Sequence, residues 1–127
     1  MAEEAALELF IGKDHEFTPC TLYTTPAKTA IQDQTGFAES FMVKRKRHHA
    51  DAAAVLTKTT VGGSITISGS YHSDPSTNTQ KATIAIRDTD TTSLNPGLYY
   101  WEWARTDDGF ETVLAFGTLH LKRSVHD

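Results

Sequence analysis

Cysteine is almost absent from the chain, and Cys20 is the single one. One thiol cannot close an internal disulfide, so the fold does not depend on an oxidising compartment. No apolar run approaches the roughly 20 residues that a helix needs to cross a bilayer, so no membrane partner is expected. The first residues, Met1-Ala2-Glu3-Glu4, are acidic where a secretory signal would be basic. A protein made in a cytoplasm, and kept or assembled there, is the expectation. An excess of positive charge is missing too. The net charge is −4 with His neutral, which weighs against direct nucleic-acid binding, because phosphate contacts need a basic face.

Catalytic motifs are also missing. The chain contains no Gly-x-Ser-x-Gly, no His-Glu-x-x-His and no phosphate-cradling glycine loop. A lone Cys on a strand is far more often a small core residue than a nucleophile. His48 and His49 are adjacent, and neighbours on a strand point to opposite faces, so they rarely share one ion. His15, His72, His120 and His126 show no ligand spacing. Asp88, Asp90, Asp107 and Asp108 fit no calcium loop and read as turn formers. The chain is therefore expected to be no enzyme, with no catalytic, cofactor-binding or metal-binding residues.

What is present points to β structure. Threonine is the commonest residue, and Val, Ile, Tyr and Phe add to the same bias. A chain of 127 residues with 39% hydrophobic residues can hold one core, so residues 1–127 read as one domain. The clearest signal is the stretch from Leu94 to Leu121. Tyr99, Trp101 and Trp103 alternate with Leu98, Tyr100, Glu102 and Ala104, a period of two that predicts a strand. Pro96-Gly97 supplies a turn before it, and Asp108-Gly109 supplies one after it. A second apolar run, Val113 to Leu121, completes a hairpin. Its parity changes around Gly117, which predicts a bulge there.

The remaining strands are expected up to Gly12, from Phe17 to Tyr23, from Phe37 to Val43, from Val55 to Thr60, from Ser64 to Tyr71 and from Lys81 to Arg87. Phe37, Glu39, Phe41 and Val43 share one face of their strand. Pro19 demotes its strand to an edge. Asp88 to Ser93 reads as a polar link, and the tail from Lys122 as loose. About seven or eight short strands predict an all-β fold, an antiparallel sandwich of immunoglobulin-like or jelly-roll-like type.

Contact candidates follow from the pattern. Lys44, Arg45, Lys46 and Arg47 make both faces of a strand end basic. Such a run shields an exposed edge, forms a nucleic-acid or localisation patch, or docks on an acidic neighbour. Tyr100 lies on the face opposite the other rings, which makes it the aromatic expected to be exposed. With loop aromatics it would serve an alternative role as a carbohydrate platform. Asp74 and Asn78 sit in a polar tip, Ser73 to Thr79, that is also expected to meet neighbours.

These residues also resemble a family. Leu9-Phe10-Ile11-Gly12-Lys13-Asp14, Gln34-Thr35-Gly36 leading into Phe37 to Arg45, Asp90-Thr91, Leu94-Asn95-Pro96-Gly97-Leu98-Tyr99 and Ala115-Phe116-Gly117-Thr118-Leu119 carry the likeness. The pattern resembles small β-sandwich proteins of tailed-bacteriophage virions, in particular the N-terminal domain of baseplate upper proteins and related tail- or head-attached proteins. The chain departs from it at Trp101-Glu102, where the family usually has Tyr-Asp, and in the tip from Ser73 to Thr79. No long C-terminal extension follows, which favours a decoration or adaptor subunit over a fibre. The resemblance implies a multicopy, homo-oligomeric or particle-bound structural subunit in the virion, whose partners are other virion proteins.

Overall fold

A computed structural model describes residues 3–123, with Asp51 described by its backbone alone. Met1, Ala2 and residues 124–127 lie outside the described residues; of the tail expected to be loose from Lys122, Lys122 itself is strand, paired with Phe10. In chain order the strands are β1 (Glu3–Glu4), β2 (Leu7–Phe10), β3 (His15–Phe17), β4 (Glu39–Lys44), β5 (Leu56–Thr59), β6 (Ile65–Ser68), β7 (Lys81–Ile86), β8 (Gly97–Arg105) and β9 (Thr112–Lys122). A one-turn helix, α1 (Asp88–Thr91), precedes β8.

The fold is the expected all-β sandwich, with nine strands among the described residues instead of seven or eight. The larger sheet runs β1-β9-β8-β4-β5, with β2 also on β9, and the smaller runs β3-β7-β6. Alternation dictates which side chains meet. Tyr99, Trp101 and Trp103 point inward from β8, Phe41 and Val43 from β4, and Leu119 and Leu121 from β9. They pack with Ile65, Ala82, Ile84 and Ile86 of the smaller sheet. Fully burying one such side chain is worth about 1.5–3 kcal/mol, so the β8 rings anchor the core. Phe41 sits between layers, stacked on Trp101 at 5.7 Å and edge-on to Phe17 at 5.7 Å.

Four local expectations change. First, the strand expected from Phe17 to Tyr23 stops at Phe17. Phe17 is opposite Ile84, so continuing that register would set Pro19, which has no N–H, opposite Ala82. The Ala82 carbonyl instead accepts a bond from the Thr18 hydroxyl at 2.7 Å. Second, the link from Asp88 to Ser93 contains α1. The Asp90 carboxylate accepts from the Arg87 N–H at 2.7 Å and fixes the turn, while Thr91 is buried and accepts from the Gly12 N–H at 2.9 Å. Third, pairing is not wholly antiparallel. Both β1 and β2 run parallel to β9, from Glu3 opposite Ala115 to Phe10 opposite Lys122. A parallel pair needs a long connection, and here almost the whole chain supplies it.

Fourth, the bulge is not at Gly117. Trp103 is opposite Ala115 and Ala104 is opposite Val113, so Leu114 is the extra residue. From Ala115 onward the odd positions face the core and Phe116 faces outward. Gly117 is in register opposite Trp101. A Cβ there would stand 1.7 Å from the Ala5 carbonyl oxygen, which crosses directly over it. The glycine marks a close backbone approach, not a change of parity.

Gly117→Ala is therefore expected to lower stability by about 1–3 kcal/mol or more, as overpacking does. In urea titrations the midpoint should fall, and hydrogen exchange at Leu7 and Leu9 should speed up as the N-terminal strand lifts.

Candidate functional site

The outer face of the larger sheet carries the even-numbered residues of β8. Cross-strand rows align Lys44 with Tyr100 and Thr118, and Met42 with Glu102 and Phe116. Most of these side chains are half-buried, and Leu98 is 53% exposed. β4 ends at Lys44, and the chain turns back so that Arg47 lies across the face. Its guanidinium is 4.9 Å from the Tyr100 ring centroid and 5.8 Å from that of Phe116. It also reaches the Glu4 carboxylate of β1 at 3.9 Å. A cation stacked on a ring near the surface is worth about 0.5–1 kcal/mol, which biases Arg47 towards this position.

Two shallow clefts flank this stack. One, of about 330 Å³, has Met42, Glu102, Val113 and Phe116 in its lining. The other, of about 430 Å³, is walled by Arg45, Lys46, Arg47 and His48 over Leu98 and Tyr100. Of the residues singled out from the sequence, Lys44, Arg45, Lys46, Arg47 and Tyr100 thus gather on one face. Asp74 and Asn78 do not join them. The Asp74 carboxylate accepts from the Ser76 N–H and hydroxyl, both at 2.9 Å, and these bonds hold it below the usual carboxylate range. The Asn78 carbonyl accepts from the His72 and Gln80 N–H groups at 3.0 and 3.2 Å. Asn78 lines a separate polar cleft of about 290 Å³ with Cys20 and Gln34. The tip is tied down as well, since its Ser73 carbonyl accepts from the Ile31 N–H at 2.8 Å.

Phe116, Met42 and Glu4 belong to the face, and the sequence reading passed over them. Placing the bulge three residues late put Phe116 with Leu114 on the wrong side. Glu4 arrives only through the parallel pairing of β1, which strand periodicity does not reveal.

No family model matches the chain, and no curated protein does. Among the described residues no group of three or more His, Cys, Asp or Glu side chains could hold a metal ion. The His48 and His49 rings meet edge to face at 5.3 Å. Burial, helped by the nearby Glu3, pushes the Cys20 thiol up to about 11, so it is a thiol and not a thiolate at neutral pH. Three of the four aspartates are engaged within the fold: Asp88 accepts from the Thr89 N–H, Asp90 pairs with Lys58 at 2.8 Å, and the Asp107 carboxylate accepts from the distant Ala38 N–H.

One buried acid stands apart. Glu39 is 1% exposed, and its Oε1 accepts from the Trp103 indole N–H at 2.9 Å. Its Oε2 has no partner among the described residues. Burial pushes its carboxyl from 4.5 up to about 7; the Trp103 bond opposes this, nearby Asp107 adds to it and Arg105 subtracts. Arg105 is in turn clamped between the rings of Phe37 at 3.8 Å and Phe110 at 4.6 Å, and paired with Asp107 at 3.1 Å. The Glu39 carboxyl is thus enclosed at this end of the sandwich.

The raised Glu39 value sets a sign. The folded chain holds that proton more tightly than the unfolded chain, so this group's stabilisation is fully present below pH 4.5 and is lost as pH rises to about 7. Glu39→Gln removes the titration while keeping an acceptor for Trp103. Relative to the native chain, the variant is expected to gain up to about 3 kcal/mol at pH 8 and nothing at pH 4. Urea titrations of both proteins from pH 4 to pH 8 read that difference.

Proposed function

We propose that this chain is a non-enzymatic structural subunit of a tailed-phage virion, held there by the outer face of its larger sheet. The observation that carries this reading is the Arg47 guanidinium stacked across Tyr100 and Phe116 at 4.9 and 5.8 Å, in a half-exposed bed with Met42 and Lys44. Arg, Tyr, Phe and Met are the side chains enriched at protein interfaces. The stack and the Glu4 ion pair fix the arginine before any partner arrives, so binding loses less side-chain freedom. The two clefts share Arg47 and Tyr100, so one partner surface could engage both. Many copies on one particle would add avidity to modest single contacts.

The virion part of the reading rests on the sequence likeness, whose turn residues form turns in this fold. Ile11-Gly12 forms the turn after β2, Thr35-Gly36 the turn before β4, and Gly97 opens β8 directly after Pro96. Against the carbohydrate alternative, Tyr100 is only half-exposed and already stacks with Arg47 at 4.9 Å.

Mass spectrometry of purified particles of the encoding phage is expected to find the chain in many copies. Tyr100→Ala and Arg47→Glu should each reduce its incorporation at least tenfold, the scale of a hot-spot loss of about 2 kcal/mol. Absence from particles overturns the proposal.

A further inference from the structure

The chain is acidic overall, yet four of its cations stand together at Lys44–Arg47. That cluster sits at one end of the β8–β9 hairpin. Lys44 is opposite Tyr100, and the 430 Å³ cleft beside them runs under Arg45, Lys46 and Arg47 to the exposed Leu98. The opposite end of the same hairpin is its mirror in charge. After Arg105 the chain turns through Asp107-Asp108-Gly109-Phe110-Glu111. Asp108 and Glu111 are exposed, and between them Phe110 projects with 60% of its surface in solvent. Seven residue steps of strand run from Leu98 to Arg105, roughly 24 Å.

The turn is built firmly. The Asp107 carbonyl accepts from the Phe110 N–H at 2.9 Å. Gly109 supplies a left-handed backbone at φ +84°. The Arg105 guanidinium backs the Phe110 ring at 4.6 Å. An aromatic knob between two carboxylates is thus presented at one end of the molecule, and an apolar floor between two arginines and a lysine at the other.

We infer that these two ends recognise each other between copies: the Asp108-Phe110-Glu111 turn of one chain docks in the Arg45-Lys46-Arg47 cleft of the next, with Phe110 against Leu98 and Tyr100. The inference rests on the docking function proposed above and names the partner of that face as a second copy. Charge complementarity carries it, since Arg45 and Lys46 at the cleft and Asp108 and Glu111 at the knob are all exposed. Each copy has one knob and one cleft, so the contact is heterologous. Such contacts propagate head to tail into a ring or a file and do not stop at a two-fold dimer.

Sedimentation velocity on the full chain tests this. At about 0.1 M salt, species larger than a dimer should grow with concentration. At about 1 M salt the apparent Kd should weaken at least tenfold, because the screening length falls from ~10 Å to ~3 Å. A cleft variant, Arg45→Glu with Lys46→Glu, should be monomeric. So should a knob variant, Asp108→Asn with Phe110→Ala and Glu111→Gln. Mixed one to one, the two should form a heterodimer and nothing larger, because one intact knob meets one intact cleft. That rescue also shows that both variants are folded. Lys46→Ala and Glu111→Ala form a milder pair for the same test.

A native chain that stays monomeric up to about 1 mM, one that stops at a symmetric dimer, or a variant that associates like the native chain overturns the inference. A monomeric chain that is nonetheless found in particles removes only the head-to-tail contact. A self-assembling chain that is missing from particles removes only the virion role.

Discussion

The Trp101 indole N–H is shared between two carbonyls, Ala5 at 3.2 Å and Thr118 at 3.0 Å. Much of the remaining structure depends on that fork. It lies over Gly117, where a side chain would collide with the Ala5 carbonyl. An indole buried among Phe41, Val43 and Leu119 would lose a bond's worth of free energy if its N–H were left alone. The core ring therefore pins the N-terminal strand onto the last one. The parallel register from Glu3 to Phe10 follows, and it covers an edge of the larger sheet that would otherwise be open to chance pairing.

The outer face inherits its form from the same constraint. Because β1 lies beside β9, Glu4 stands opposite Phe116, within reach of Arg47. Because Leu114 takes up the extra residue, Phe116 is turned out to meet that arginine and not buried beneath it. A cation in the turn after β4 is thereby fixed over two rings contributed by β8 and β9. The inner face holds the molecule together and the outer face is shaped by it, with the two alternating residue by residue along β8.

The two ends of that strand differ in how they treat charge. At the Arg105 end, cation, acid and two phenyl rings close on one another, and the buried Glu39 carboxyl sits behind them, accepting from the Trp103 indole. Burial of an acid with a single donor favours its neutral form, so this end tolerates a carboxyl only by weakening its acidity. At the Tyr100 end Arg45 and Lys46 remain exposed, where salt screens them. One hairpin thus carries a sealed end with an acidic tip and an open basic end.

Periodicity alone revealed the inward set Tyr99, Trp101 and Trp103, the opposite placement of Tyr100, and the hairpin joined at Asp108-Gly109. Each is a local property: alternation decides the face and the turn residues decide where the strand ends. Composition gave the all-β class. The sequence could not say that Leu114 is the bulged residue, that the strand before Pro19 stops at Phe17, or that the first strand runs parallel to the last. Those outcomes depend on which strand lies alongside, and a residue's own neighbours in the chain carry no record of that. The basic run and Tyr100 were visible as separate candidates. Only the pairing of β4 with β8 brought them onto one face, and only the packing of β1 on β9 added the acid that holds Arg47 in place.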